Sequence, residues 1–82
     1  MGNMFQPFDI KHYCRVYFTF LNQENEKTIL YYNRPQSLTD EAVMEEARAN
    51  AEDMKIRYGL VELVCVNIAR TPVQVILYET GA

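Results

Sequence analysis

The sequence predicts an α+β domain of ββαββ order, with one long helix packed on one face of a four-stranded antiparallel sheet. Three observations carry that expectation. Residues 39–58 hold apolar residues at helical spacing between a polar start signal and a glycine stop. On each side of them lie two segments rich in β-branched and aromatic residues, each pair joined by a short polar turn. The 82 residues are 49 % hydrophobic, with only three Gly and three Pro, which suits one packed domain over 1–82 and is too short for two.

Residues 1–10 (MGNMFQPFDI) read as an extended lead-in, because Pro7 prevents a regular helix through their centre. Residues 12–21 form the clearest strand. Alternation places Cys14, Val16, Phe18 and Phe20 on one face, and Tyr13, Arg15, Tyr17 and Thr19 on the other. The polar run Asn22 to Glu26 turns the chain into a second strand over 27–33. Its parity is open. An odd-length loop pairs Phe18 with Leu30 and sends Leu30 and Tyr32 inward; a slip of one residue sends Ile29 and Tyr31 instead.

The helix carries signals at both ends. Thr39 suits the N-cap, and Leu38 with Val43 has the spacing of a hydrophobic staple. Asp40 and Glu41 oppose the positive end of the dipole, while Lys55 and Arg57 occupy the last turn before Gly59. Val43, Met44, Ala47, Ala51, Met54 and Tyr58 form the expected buried stripe. Ala47 and Ala51 let the axis approach the sheet closely.

Residues 61–69 (VELVCVNIA) are apolar on both faces, Val64, Val66 and Ile68 against Val61, Leu63 and Cys65, which suits a central strand. Arg70-Thr71-Pro72 turns the chain into a fourth strand over 73–79. A helix that returns the chain makes the second and third strands parallel to each other. The first strand then fits between them, giving the spatial order 2-1-3-4 with every neighbour antiparallel.

Charge and composition narrow the function. Eleven acidic residues against eight basic give a net charge of −3, and the basic residues are scattered, so nucleic acid is an unlikely partner. The first nine residues lack a signal peptide's basic start and apolar run, and no stretch approaches a membrane span. Two cysteines are too few for a disulfide scaffold, so a reduced cytoplasmic protein is expected.

No catalytic, cofactor or metal site is expected. The single histidine, His12, is followed by Cys14, and a neighbouring Cys65 would complete a three-ligand metal set. Strand cysteines in runs such as Val-Cys-Val are more often small core residues. The helix acids, Glu45 and Glu52 among them, fit a solvated face, or an acidic surface that docks onto a basic partner.

The six tyrosines are more informative. Tyr13, Tyr17, Tyr78 and one of Tyr31 or Tyr32 share the sheet face away from the helix, with Arg15, Gln74 and Ile76. Tyrosine and arginine are favoured in protein contacts. The same face could stack single-stranded bases, although the strand Arg15 to Phe20 lacks the glycine those RNA modules carry. Expected contact residues are therefore Tyr13, Arg15, Tyr17, Gln74, Ile76 and Tyr78, with Glu45 and Glu52 on the helix.

From Tyr13 to Tyr78 the element order and size resemble small phage-encoded anti-CRISPR proteins, which are short, often acidic, and sometimes built as hairpin, helix and hairpin. That resemblance implies an inhibitor that blocks a host effector complex by binding, without catalysis. The reading from the residues is a non-enzymatic protein-binding domain. A homodimer through an edge strand or the open sheet face is expected as well, since Val73 to Tyr78 lacks the charges that discourage strand pairing.

Overall fold

The computed structural model describes residues 9–71. Their elements are β1 (Tyr13–Leu21), β2 (Lys27–Pro35), α1 (Asp40–Arg57) and β3 (Glu62–Ala69). The described strands form one antiparallel sheet in the order β2-β1-β3, with α1 on one face. The fourth strand expected over 73–79 and the lead-in over 1–8 lie outside the described residues.

The β1–β2 loop has five residues, and its odd length decides the parity left open above. Asn22 organises it: the Asn22 Oδ1 accepts from the backbone N–H of Glu24 and Glu26, each at 2.9 Å, and Asn25 takes a φ of 65°. Phe18 therefore stands opposite Leu30, and Val16 opposite Tyr32. Leu30 and Tyr32 face the core, and Tyr31 joins Tyr17 on the other face.

The ends of α1 follow the capping signals closely. Thr39 is the N-cap, with extended backbone and its Oγ1 accepting from the Ala42 N–H at 3.1 Å. At the far end Leu60 N–H donates to Lys55 O at 2.9 Å and Gly59 N–H to Ile56 O at 3.4 Å. This is the Schellman arrangement, which requires the left-handed φ of 65° that Gly59 supplies.

β1 is the centre of the core. Cys14, Val16, Phe18 and Phe20 pack with Val43, Ala47 and Ala51 of the helix, and Leu38, Met54 and Leu60 close the edges. Tyr58 departs from the expected buried stripe: it is the C-cap and is 57 % exposed. The helical repeat ends there, so the residue no longer follows the phase of the stripe. Met44 is half-buried at the margin.

β3 also departs from simple alternation. Thr19 stands opposite Cys65 but Phe20 opposite Leu63, so Val64 is an additional residue in a β-bulge. The bulge brings Leu63 to the same face as Val66 and Ile68, against the core, and leaves Val64 45 % exposed. The expected grouping of Leu63 with Cys65 is thereby corrected.

Candidate functional site

The outer face of β1 was expected to be open, and it is not. Arg15, Tyr17 and Thr19 are only 6 %, 3 % and 1 % exposed. β1 lies between two strands, and long side chains from β2 flank it. The Arg15 guanidinium sits 4.4 Å from the centroid of the Tyr31 ring, and its Nε donates to Asn33 Oδ1 at 3.0 Å. The Tyr17 and Tyr31 rings pack at 5.5 Å. The Thr19 hydroxyl makes no hydrogen bond among the described residues.

Of the other expected contact residues, Tyr13 is 45 % exposed at the start of β1, opposite Pro35. Glu45 and Glu52 are exposed on α1, with Glu52 paired to Lys55 at 3.3 Å. The structure thus separates the tyrosine set from the helix acids. Gln74, Ile76 and Tyr78 lie outside the described residues. His12 is exposed and bonded to Asp9, Cys14 faces the core, and Cys65 stands opposite Thr19 on the outer face. Sheet geometry therefore keeps these three apart, and no cluster of metal-ligating side chains occurs among the described residues. No helix there is long and apolar enough to cross a membrane.

Among the described residues a concavity lies where α1 and β2 diverge. The helix lies over β1 and β3, so the inward side chains of β2 are only half covered. A groove of about 590 Å³ results. Its floor is Leu30 and Tyr32, one wall is Asn50, Met54 and Arg57 of the helix, the β2 edge at Ile29 and Tyr31 forms the rim opposite, and the mouth carries Tyr58. Asn50 Nδ2 donates to the Tyr32 hydroxyl at 3.0 Å, and Arg57 pairs with Asp53 at 2.9 Å. The groove thus has an apolar floor and a mixed helix wall, with the charged pair Asp53 and Arg57 on it.

A shallower extension shares Tyr32 and Asn50 and ends at Arg34 and Glu46. There the Arg34 guanidinium grips both oxygens of Glu46, at 2.7 and 2.9 Å, and ties the end of β2 to the helix. At the groove's other end Tyr58 is 57 % exposed. Sequence reasoning missed this site because it is made by the lateral offset of a helix over a sheet. The one signal available was the Ile29-Leu30-Tyr31-Tyr32 run, which is apolar on both faces.

Comparison with protein families, curated proteins and solved structures found no match to this chain.

Proposed function

We propose that this chain is a non-enzymatic binding protein that acts by protein–protein contact, through its α1–β2 side. The observation that carries the reading is the groove with Leu30 and Tyr32 half covered on its floor and Tyr58 exposed at its mouth. Apolar and aromatic side chains gathered beside a concavity are the usual chemistry of a protein contact. Burial of Arg15 and Tyr17 favours this over base stacking, which needs accessible rings.

The likeness in element order to phage-encoded anti-CRISPR proteins extends the reading to an inhibitor that occludes a host complex in the cytoplasm. A fourth strand over 73–79 on the outer side of β3 belongs to the same proposal. It leaves the β2 side as the working surface.

The test compares binding partners recovered from the native host by the unaltered protein, by Tyr58→Ala and by Glu45→Ala. Tyr58 is exposed at the helix cap, so its truncation changes stability by only about 0.5 kcal/mol or less. The expected result is loss of the partner with Tyr58→Ala and retention with Glu45→Ala. Retention by Tyr58→Ala with loss by Glu45→Ala would move the contact to the acidic helix face.

A further inference from the structure

The exposed edge of β2 has a backbone phase that can be read from one hydrogen bond. Asn22 N–H donates to Glu26 O at 2.8 Å, which makes this a hydrogen-bonded pair of the β1–β2 ladder. Hydrogen-bonded and non-hydrogen-bonded pairs alternate in an antiparallel ladder. The register runs without a break, so Phe18–Leu30 and Val16–Tyr32 are hydrogen-bonded pairs, while Thr19–Ile29 and Tyr17–Tyr31 are not. The N–H and C=O groups of Ile29 and Tyr31 therefore point away from β1, and among the described residues β2 pairs only with β1.

We infer that this edge pairs with the same edge of a second copy, β2 against β2 in antiparallel fashion about a two-fold axis at Leu30. The inference rests on the reading that the α1–β2 side is the contact surface. Three features select the partner and the register.

Natural edge strands are usually protected by a charge or a proline within the strand. Residues 28–33 of β2 (TILYYN) have neither; Lys27, Arg34 and Pro35 stand only at the ends. With the axis at Leu30, Ile29 of one protomer faces Tyr31 of its partner, and Tyr31 faces Ile29. Both are hydrogen-bonded pairs of the required phase, and each joins an aromatic to a β-branched side chain.

The same register puts Arg34 opposite the partner's Glu26, an opposite-charge pair at each end. Arg34 uses Nε and one Nη on Glu46, which leaves Nη1 for that carboxylate. The neighbouring registers are poorer. An axis at Tyr31 faces Arg34 with Thr28 and Lys27 with Pro35, which has no N–H. An axis at Tyr32 sets Arg34 against Leu30. An axis at Ile29 faces Arg34 with Glu24, deeper in the turn, so the Leu30 axis gives the complementary charge nearest the strand, and it also closes the half-covered Leu30 and Tyr32 with the partner's Leu30 and Thr28.

Light scattering on the whole chain tests this, with Ile29→Pro as the variant. Proline is tolerated on an edge strand where its missing N–H faced outward, so the fold survives and circular dichroism verifies it. The expected result is the mass of two chains for the unaltered protein and of one chain for Ile29→Pro at the same concentration. A register test uses Leu30→Cys in a Cys65→Ser background. Facing Leu30 residues would be a non-hydrogen-bonded pair with Cα atoms about 4.5 Å apart, within disulfide reach. Air oxidation should link Leu30→Cys chains into dimers and leave a Tyr31→Cys control largely unlinked.

A one-chain mass for the unaltered protein up to its solubility limit would overturn the inference, as would a dimer that Ile29→Pro leaves intact. Dimers linked by Tyr31→Cys but not Leu30→Cys would overturn the register. The partner assay with Tyr58→Ala reads the broader proposal separately, since Tyr58 lies off the β2 edge.

Discussion

The two flanks of β1 differ in where the helix sits over them. On the β3 flank the helix lies directly above the sheet, and the bulge at Val64 turns Leu63 inward to fill the space beneath it. On the β2 flank the helix lies away from the strand, leaving Leu30 and Tyr32 half covered and a groove beside them. A small domain can leave only a little apolar surface uncovered before its stability fails. Leu63, Val66 and Ile68 on one flank and Leu30 and Tyr32 on the other are all partly buried, but the groove opens on the β2 side, and that is where a partner gains most by covering it.

The sharpest test of the open β2 flank compares it with the centre of the core on β1. Phe18 is fully buried in contact with the Tyr32 and Phe20 rings, and Phe18→Ala should cost about 3–5 kcal/mol. Leu30→Ala removes a half-covered side chain and should cost roughly 1–2 kcal/mol, because about half of its transfer free energy is never gained. Urea denaturation of both variants checks this. Equal losses would show that the β2 flank is as closed as the centre of the core.

The arginines at the ends of β2 and β3 extend the comparison. Arg70, just after β3, donates to Gln36 O at 2.9 Å and Leu38 O at 2.8 Å, to the Gln36 side-chain oxygen, and to Asp40 at the helix start. It fastens the β2–α1 connection to the β3 flank. Arg70→Met keeps the apolar stem but leaves two carbonyls and a carboxylate without this donor, so a loss of about 2 kcal/mol is expected. Arg34 holds Glu46 by a good fork, but both side chains are more than a third exposed. Arg34→Met should therefore cost under about 1 kcal/mol. Thermal unfolding of both variants decides the order, and a larger loss at Arg34 would put the main fastening on the β2 side.

How much of this was legible in the sequence depends on whether a residue's role is set locally. Thr39, Asp40, Gly59 and Leu60 act on backbone groups within a turn of themselves, so the helix ends could be read from residue types alone. The β2 parity was readable as a condition, since a five-residue loop fixes it once its ends are known. The bulge at Val64 was not readable, because Leu63, Val64, Cys65 and Val66 are all apolar and their order carries no face signal. Tyr17 shows a second limit: alternation assigned it to the outer face correctly but says nothing about what lies over that face. The groove needed a third kind of information, namely where the helix axis falls across the sheet. That is set jointly by Ala47, Ala51 and the residues facing them, and no single segment reveals it.

The smallest expected effect lies where the chain enters β1. The Asp9 carboxylate accepts from the Lys11 N–H at 3.0 Å and lies 2.6 Å from the His12 ring. The bond to His12 holds the Asp9 carboxyl below its ordinary value of 3.8, with the Lys11 N–H adding to the effect and slight desolvation opposing it. A carboxyl whose pKa is lowered on folding adds stability above the unfolded value and loses it as pH falls through the folded one. The turn at Asp9 should therefore be intact at neutral pH and loosen below pH 3.8. Because the group is fully exposed, the loosening should be local. An NMR titration should show Lys11 and His12 amides moving with Asp9 while Phe18 and Val16 amides stay fixed. Asp9→Asn should remove that acid transition and leave the unfolding midpoint at neutral pH nearly unchanged. If instead the β1 core amides moved with Asp9, the entry turn would be coupled to the packed flank, and the separation between a closed scaffold and its open margin would be less complete than the structure indicates.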